Sequence, residues 1–435
     1  MNVVRSNFSS ALLSIEALVK ESAFIAIDTE FTGLSTNESD NRSLFDTIES
    51  RYAKLRRTAH SFTICQFGMS VFISDPEMKH YTAHSFNFYL FPKTFQHIYN
   101  PRFLIQCANI EFLCEHSFDF NKWFYEGISF CNRQEEAKLT TEVVSKEEKE
   151  DIVGFRRLFQ LLVESKKPLL GHNMLLDLAY MFDCFHEPLP TSYTDFKATL
   201  HLLFPVIIDT KNISRAIRTK MDKYINKTSL DELYASLSNE EYAKSVIYAP
   251  DVVHSPDSSR YGETKCFHEA AYDAYCVGYV FLKMAHFLAI SNMSHPRPVH
   301  FKQYLKTIEP YSNRINLVHG PINYINLSGP DQKERENYII KVKTASGKKI
   351  DLNHLKQVIK YDTEFKVSSK DSVLVGIPVS GWMKPIIDEI ESSTSEYIVE
   401  RHSTIKNTKR SSMKKAIPVI ALITCACIVL YKYNY

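Results

Sequence analysis

The 435-residue sequence predicts an α/β domain, then a smaller α+β domain and finally an apolar C-terminal helix. Three observations support this organisation. Apolar runs with strand composition alternate with helical runs as far as about residue 295. The composition changes after residues 296–298, where short strand-like runs surround one helical run. An uncharged apolar run lies near the C-terminus. The predicted segments are a first domain at 1–295, a small α+β domain at 296–400, a basic tether at 401–415 and an apolar helix at 416–432.

The first half of the chain predicts helices alternating with strands. Asn7-Phe8-Ser9-Ser10 is typical of a helix start, and the run after it has helical periodicity. Short apolar or aromatic runs are typical of buried strands. The predicted elements are a helix over Ala11–Lys20, a strand over Ala23–Ile27, a helix over Leu44–Thr58, strands over Phe62–Phe72 and Ser85–Phe91, and short helices within 103–127.

The charge-rich segment 135–151 is the best candidate for an internal linker. Beyond it, an amphipathic helix, a short strand, a second helix and a long apolar helix are predicted over Phe155–Ser165, Pro168–Leu170, Met174–Phe185 and Glu269–Ile290. Within 296–400 the predicted elements are strands over Tyr324–Leu327, Tyr338–Lys343, Glu364–Val367 and Val373–Ile377, and a helix over Leu352–Lys360.

Charge and cysteine content exclude two classes of protein. Lys and Arg total 52 against 50 Asp and Glu, so the net charge is only +2. A surface that is basic overall is therefore excluded, and a polyanion site must be a local patch or a metal site. The nine cysteines are scattered without a CxxC pair. They indicate free thiols in a reducing compartment rather than a disulfide framework or a zinc site.

The uncharged run at 416–431 follows a basic segment and precedes Lys432. As a helix it would rise about 24 Å, less than the roughly 30 Å of a bilayer's hydrocarbon core, although flanking lysines can extend the span by snorkelling. A buried core helix is the alternative for a run of this length. Its isolation behind a basic tether favours a membrane anchor facing the cytosol, with the mitochondrial outer membrane preferred to the endoplasmic reticulum.

Asp28 and Glu30 stand two residues apart where the first buried strand ends. Residues i and i+2 of a strand project from the same face, so the two carboxylates are expected side by side. Adjacent carboxylates raise one another's pKa unless a cation lies between them, and Mg²⁺ or Mn²⁺ prefers oxygen ligands of this kind. A solvated strand end is the commoner explanation for such a pair taken alone.

Three further candidates lie near predicted helix starts. A strand and the turn Gly171-His172-Asn173 deliver Asp177 to the first turns of a helix. His268 and Asp273 are five positions apart, which places them about 140° apart on one helix. They can face a common site only if His268 lies at the helix start or in the loop before it. Each of these signals is weak by itself.

The combination of these residues changes the interpretation. Four carboxylates and one histidine are what two-metal phosphodiester hydrolysis requires. The histidine can take a proton from water because its pKa lies near neutral. The sequence therefore predicts a metal-dependent phosphodiesterase whose site residues are Asp28, Glu30, Asp177, His268 and Asp273.

Several motifs resemble the poly(A)-specific ribonuclease family, a group of DEDD exonucleases with a catalytic histidine. The resemblance covers nearly all of residues 20–345. It is carried by Ile-Asp-Thr-Glu-Phe-Thr-Gly-Leu (27–34), Phe-Thr-Ile-Cys-Gln-Phe-Gly (62–68), Gly-His-Asn-Met-Leu-Leu-Asp (171–177), Ile-Ile-Asp-Thr-Lys (207–211) and His-Glu-Ala-Ala-Tyr-Asp-Ala-Tyr (268–275).

The resemblance implies an RNase H-like fold, with a mixed sheet flanked by helices. It implies coordination of Mg²⁺ or Mn²⁺ by the four carboxylates Asp28, Glu30, Asp177 and Asp273, and a general base at His268. Asp209, in the fourth motif, is predicted to orient neighbouring structure and not to bind metal.

The resemblance also identifies 296–400 as RNA-recognition-like, although the signature motif of such domains is absent. Core packing is the predicted role of Tyr324 and Tyr338. Trp382 suits packing and stacking on a base equally well.

Two departures from the family's deadenylase favour its membrane-anchored, piRNA-trimming branch. The deadenylase carries an RNA-binding domain between its first two nuclease motifs, where this chain has only the segment 135–151. The deadenylase also lacks the apolar tail that this chain has. The resemblance thus implies a 3′-to-5′ exoribonuclease that trims single-stranded precursor piRNA from a free 3′-OH and releases 5′-nucleotides. Implied partners are a Tudor/KH-domain scaffold, a piRNA-loaded Argonaute-family protein and a second copy of the chain in a homodimer.

Two alternatives stay open. The first is a poly(A)-tail deadenylase, which would use the same chemistry on another RNA. The second is a non-catalytic, membrane-tethered adaptor that only binds RNA. The adaptor would tolerate loss of metal ligands, whereas all five site residues are present.

Overall fold

The computed structural model describes residues 1–94, 99–139, 145–291, 293–318, 320, 322–333, 339–378 and 380–401. The strands within them are β1 (Asn2–Val3), β2 (Phe24–Phe31), β3 (Ile64–Ser74), β4 (His80–Tyr89), β5 (Leu169–Gly171), β6 (Ile207–Asp209), β7 (Asp251–His254), β8 (Arg314–Asn316), β9 (Tyr324–Asn326), β10 (Ile339–Thr344), β11 (Glu364–Ser369), β12 (Ser372–Gly376) and β13 (Tyr397–Arg401).

The α-helices within the same residues are α1 (Phe8–Glu21), α2 (Ile48–Ser61), α3 (Cys107–Glu115), α4 (Phe120–Glu126), α5 (Arg133–Glu136), α6 (Lys146–Val153), α7 (Arg156–Ser165), α8 (Leu175–Met181), α9 (Tyr193–Leu203), α10 (Thr210–Ile217), α11 (Leu230–Leu237), α12 (Glu240–Ser245), α13 (Arg260–Glu263), α14 (Ala270–Ile290), α15 (Phe301–Ile308), α16 (Leu352–Val358) and α17 (Met383–Ser393).

The larger sheet is mixed. Its strands run in the order β1-β4-β3-β2-β5-β6, and β7 pairs with β4. β2 is antiparallel to β3 and parallel to β5, and β5 is parallel to β6. Helices flank this sheet, so the predicted α/β, RNase H-like fold is confirmed.

The two faces of β2 contribute to two different hydrophobic cores, because successive strand residues point to opposite faces. Ile25 and Ile27 pack in a core that includes residues of α1, α7 and α8. Phe24 and Ala26 pack in a second core dominated by α14. Even-numbered residues of β2 therefore face α14, and odd-numbered residues face the α8 side.

The predicted strands and helices of the first half all exist, with shifted ends, but the segment 135–151 is only partly a linker. α5 and α6 occupy much of its described part, and 140–144 lie outside the described residues. Leu139, Ile152 and Val153 are buried in a small cluster with Tyr99 and Cys131. Leu139 lies within 135–151, and Ile152 and Val153 directly follow that segment. The linker prediction is therefore wrong for the part of the segment that α5 and α6 occupy, because apolar side chains anchor it at both ends although its composition is otherwise strongly charged.

The second domain begins later than predicted. Tyr304 and Ile308 of α15 pack in the core with α14, and Ile315 and Ile325 of β8 and β9 pack in the core on the other side of the sheet. The composition change at 296–298 thus marks the connection between α14 and α15. The core of the small domain contains residues from Ile340 onward, which corrects the boundary predicted at 296.

The small domain has the element order β10-α16-β11-β12-α17-β13. Its antiparallel sheet runs in the order β11-β12-β10-β13. This split β-α-β arrangement is the ferredoxin-like topology that RNA-recognition domains also use. The small domain is therefore α+β in architecture.

Among the described residues, α14 alone is long and apolar enough to span a membrane. In its most apolar stretch of 18 residues, 83% of the residues are buried inside the protein. Its packing against the sheet identifies it as a core helix. The predicted tether and apolar helix, from 402 to 432, lie outside the described residues.

Candidate active site

Asp28 and Glu30 lie on β2, on the face that α14 covers. Because even-numbered residues of β2 point to this face, the strand places both carboxylates opposite the first turns of α14. Asp28 pairs with Gly68 of the neighbouring β3, and Glu30 pairs with Gln66. The expected side-by-side placement of the two carboxylates on one strand is confirmed.

The N-terminus of α14 packs directly on β3 at these two positions. A Cβ atom at residue 68 would lie 1.9 Å from the carbonyl carbon of Ala270 and 2.3 Å from the amide nitrogen of Ala271, so only glycine fits there. The Gln66 side chain accepts a hydrogen bond from the Ala270 N–H at 3.0 Å. This N–H has no partner within the helix, because the first amides of a helix are unpaired. Gly68 and Gln66 thereby position the helix turn that carries Asp273.

His268 lies in the turn before α14, as its spacing from Asp273 requires. Its φ angle of 68° is in the left-handed region, outside the helix. Its backbone N–H donates to Asp273 Oδ2 at 2.8 Å, which fixes the turn against the helix. The His268 ring packs edge-on against the rings of His116 and Phe112, with centroids 4.1 Å and 5.0 Å away.

The turn brings three of the predicted residues into one cluster. One ligand atom each from Glu30, His268 and Asp273 lie within 4.8 Å of one another. Asp28 belongs to the same electrostatic cluster, because the charges of Asp273, Asp177 and Glu30 all raise its pKa.

Asp177 reaches the site from the other side of the sheet. It lies in the first turn of α8 and is buried. The hydroxyl of Thr29, which points to the α8 side of β2, donates to Asp177 Oδ1 at 2.5 Å. The structure therefore places Asp177 beside the strand that carries Asp28, with one of its oxygens held by Thr29.

Asp209 positions the turn that leads into α8. It is fully buried, and its side chain accepts backbone N–H groups from Asn173, Met174, Lys211, Asn212 and Asn316 at 2.9–3.4 Å. It thereby ties the β5–α8 turn to α10 and β8. This arrangement agrees with the orienting role expected from the sequence.

Burial raises the pKa of every carboxyl group in the site, and the charges of the other site carboxylates raise the pKa values of Asp28 and Glu30 further. Burial is the largest cause for Asp28 and Glu30, whose pKa values are raised well above normal, and the charge of Asp273 is the next. Burial raises the pKa of Asp177 to about 6, against the lowering effect of the Thr29 hydrogen bond. It raises the pKa of Asp273 to about 7, against that of the His268 N–H.

The donor set fits a hard divalent cation. In the described part of the chain, no hydrogen bond to a side-chain oxygen of Asp28 or Glu30 is observed. Both side chains are half-buried, and withdrawing a carboxylate from water without a partner is costly. A cation between the carboxylates would remove this repulsion and stabilise their charged forms. Oxygen ligands of this kind suit Mg²⁺ and Mn²⁺.

Comparison with protein families identifies the kind of enzyme. The model of the CAF1 family ribonucleases matches residues 3–152 and 140–281, which is more than half of the chain and includes all five predicted site residues. The chain belongs to the CAF1 ribonuclease family. The predicted exoribonuclease class and the resemblance to poly(A)-specific ribonucleases are confirmed.

Three curated relatives span most of this CAF1-family ribonuclease. Poly(A)-specific ribonuclease PNLDC1 of Homo sapiens is 34% identical over 408 residues, covering 71% of this chain and 78% of that protein. Pre-piRNA 3′-exonuclease trimmer of Bombyx mori is 26% identical over 506 residues, covering 94% of each. Poly(A)-specific ribonuclease PARN of Homo sapiens is 29% identical over 458 residues, covering 79% and 70%.

The sequence-based interpretation missed the residues that support the site of this CAF1-family ribonuclease. Gln66 and Gly68 lie inside a motif quoted for its resemblance, but their contact with α14 depends on the helix docking across the sheet. Thr29 lies between the two strand carboxylates, and nothing in its own spacing indicated a partner 148 positions away. No sequence pattern around His116 predicts that its ring packs against that of His268.

We predict that Gly68→Ala reduces exonuclease activity by about tenfold or more and destabilises the fold by about 1–3 kcal/mol, as overpacking does. The added methyl group must push the first turn of α14, and with it Asp273 and His268, away from Asp28. Thermal unfolding and the initial rate on a short RNA measure the two effects. Gly262→Ala is the matched control, because a Cβ there would meet its nearest neighbour at an ordinary 3.5 Å. Full activity in Gly68→Ala would contradict this account of helix docking.

Proposed function

We propose that the chain is a divalent-metal-dependent 3′-to-5′ exoribonuclease that trims the 3′ ends of precursor piRNA. The observation that carries the catalytic part is the cluster of Glu30, His268 and Asp273, with Asp28 and Asp177 beside it. The Bombyx mori trimmer, aligned over 94% of both chains, supports the substrate. The poly(A)-specific relatives support deadenylation as the alternative.

The carboxylates Asp28, Glu30, Asp177 and Asp273 would hold Mg²⁺ or Mn²⁺, which when bound supplies activation of water and stabilisation of charge on the leaving 3′ oxygen. Thr29 keeps one oxygen of Asp177 in a fixed direction, and the His268 N–H does the same for Asp273. These hydrogen bonds limit which oxygen of each carboxylate faces the site.

His268 is the general base of this proposal. Its ring is exposed to solvent on one side and adjoins Glu30 and Asp273 on the other. A ring nitrogen there can accept a proton from the attacking water and pass it to solvent. The neighbouring ring of His116 limits how far the imidazole can turn.

Replacing Asp28 tests the catalytic assignment. We expect Asp28→Asn to lower the rate of 3′-end hydrolysis by more than about a hundredfold, since even residues behind metal ligands cost 10- to 100-fold when mutated. The variant should fold normally, because it removes repulsion from a buried cluster. Asp222→Asn, at an exposed carboxylate, serves as control and should retain activity.

A thermal-shift titration with Mn²⁺ separates the enzyme from the RNA-binding adaptor. The wild-type protein should be stabilised by Mn²⁺, and Asp28→Asn should lose most of that stabilisation. RNA binding without hydrolysis in the wild-type protein, together with no response to Mn²⁺, would refute the nuclease proposal and leave the adaptor.

The choice of RNA is tested by competition between substrates. We expect a mixed-sequence RNA whose 5′ region is held by an Argonaute-family protein to be shortened at least as fast as poly(A) of equal length, and 3′-phosphorylated RNA to resist. Initial rates with each RNA at equal concentration provide the comparison. A strong preference for free poly(A) would favour the deadenylase alternative.

We further propose a C-terminal anchor in the mitochondrial outer membrane, for which the uncharged run at 416–431 and the basic segment before it are the support. A Tudor/KH-domain scaffold on the cytosolic side is a proposal that rests on the resemblance alone. Deleting 416–435 should move the protein from the membrane fraction to the soluble fraction without changing its rate on a short RNA. A matched deletion that keeps 416–435 but removes 403–413 should leave it membrane-bound. Membrane retention after loss of 416–435 would exclude the anchor.

A further inference from the structure

The small domain has one sheet face covered by its own helices and an opposite face directed away from them. Ile340, Val342, Val373 and Val375 pack with α16 and α17 on the first face. Residues alternate along the strands, so the opposite face carries Ile339, Lys341 and Lys343 of β10, Leu374 and Gly376 of β12, Glu364 and Lys366 of β11, and Ile398 and Glu400 of β13.

One corner of this opposite face holds a segment of the nuclease domain. The Glu364 carboxylate accepts hydrogen bonds from Ser43 Oγ and from the Leu44 N–H, both at 2.6 Å. Charge-assisted hydrogen bonds of this kind are stronger than neutral ones. Glu364 therefore holds the backbone at Leu44, 320 positions away in the chain.

The glycine beside Glu364 accommodates the side chains of the same segment. Gly376 pairs with Glu364 across β11 and β12. A Cβ atom at residue 376 would lie 3.0 Å from Leu44 Cβ and 3.3 Å from Phe45 Cζ. Lys366 Nζ also lies 5.7 Å from the centre of the Phe45 ring. Leu44 and Phe45 thus rest on the sheet where side chains of β12 would otherwise project.

This face differs from the RNA-binding face of RNA-recognition domains, where aromatic side chains on the two central strands stack on bases. The central strands here are β10, Ile-Ile-Lys-Val-Lys-Thr, and β12, Ser-Val-Leu-Val-Gly, and neither contains an aromatic residue. Trp382 packs against the domain's own core, with its ring 5.3 Å from that of Tyr361. Tyr324 lies in β9, outside this sheet, and Tyr338 is outside the described residues.

The segment 43–45 that contacts the small domain continues a loop that begins at the end of β2. Residues 32–42 follow β2, and Leu34, Asp40 and Arg42 line a groove together with Asn173 and Leu176, the residues leading to Asp177. The loop is also attached to α2, where Arg57 pairs with Asp40 and Lys54 donates to the carbonyl of Asn41 at 2.9 Å. The loop is therefore held by α2 on one side and by the small domain on the other.

We propose that the sheet face of the small domain is a docking surface for segment 43–45 of the nuclease domain, and that this docking holds the loop 34–42 in place beside the active site. The face thus performs an internal structural role instead of stacking RNA bases. The kinetic part of the test rests on the proposed exoribonuclease function, whereas the exchange measurement does not.

Two variants of the full chain test the docking. Glu364→Ala removes both hydrogen bonds, and Gly376→Val adds bulk against Leu44. We expect amide hydrogen exchange of residues 36–46 to become about tenfold faster or more in each, as loss of a charge-assisted hydrogen bond implies. Glu400→Ala is the control, because Glu400 lies on the same face and pairs with Lys343 at the surface. Unchanged exchange of 36–46 in both variants would overturn the proposal.

RNA measurements separate the two uses of the face. With a short RNA, Glu364→Ala should raise KM by several-fold and change kcat less, because the loop borders the groove and not the carboxylates. Photo-crosslinking of RNA should label residues near 34–42 and spare β10 and β12. Crosslinks to Lys341 or Leu374 that compete with docking of Phe45 would show that the face binds RNA and would overturn the proposal. If Asp28→Asn were fully active while Glu364→Ala and Gly376→Val still showed faster amide exchange of 36–46, the docking proposal would stand. Only the exoribonuclease assignment of the site around Asp28 would then fail.

Discussion

The close packing of α14 on β3 at Gly68 is the contact on which the candidate site depends. Asp28 and Glu30 are fixed by β2, whereas Asp273 and His268 are fixed by the start of α14, so the four side chains meet only if the helix approaches the sheet closely. Gly68 permits that approach because it has no side chain. Gln66 stabilises it by accepting a hydrogen bond from the first unpaired N–H of the helix. The contact between sheet and helix therefore lies directly beside the carboxylates of the site.

Asp209 on the one hand, and Asp28 and Glu30 on the other, show two ways in which this protein accommodates carboxylates that are shielded from water. Asp209 is buried with five backbone N–H groups directed at its oxygens, which satisfies it within the protein. Asp28 and Glu30 face other carboxylates instead, and burial and repulsion raise their pKa values. The first arrangement joins three elements of the fold, and the second has the oxygen ligands that suit a divalent cation.

The small domain shows that a protein can share the topology of RNA-recognition domains without sharing the side chains of their RNA-binding face. Its β-α-β-β-α-β order matches RNA-recognition domains, yet its central strands lack aromatic residues and its outer face holds Leu44 and Phe45 of the nuclease domain. A fold alone does not identify a binding surface, because function depends on the side chains placed on it. The contacts of Glu364 and Gly376 connect this domain to the loop after the catalytic strand.

The local features could be predicted from the amino-acid sequence: the strand that carries Asp28 and Glu30, the helix start at Asp177, the turn at His268 and the core helix after it. These depend on periodicity, caps and short spacings, which are encoded among neighbouring residues. The contacts between distant residues, such as Thr29 with Asp177, Gly68 with Ala270 and Glu364 with Leu44, could be seen only in the folded protein. It also moved the domain boundary past β9, because burial of α15, β8 and β9 depends on surfaces that other segments present and not on their own composition.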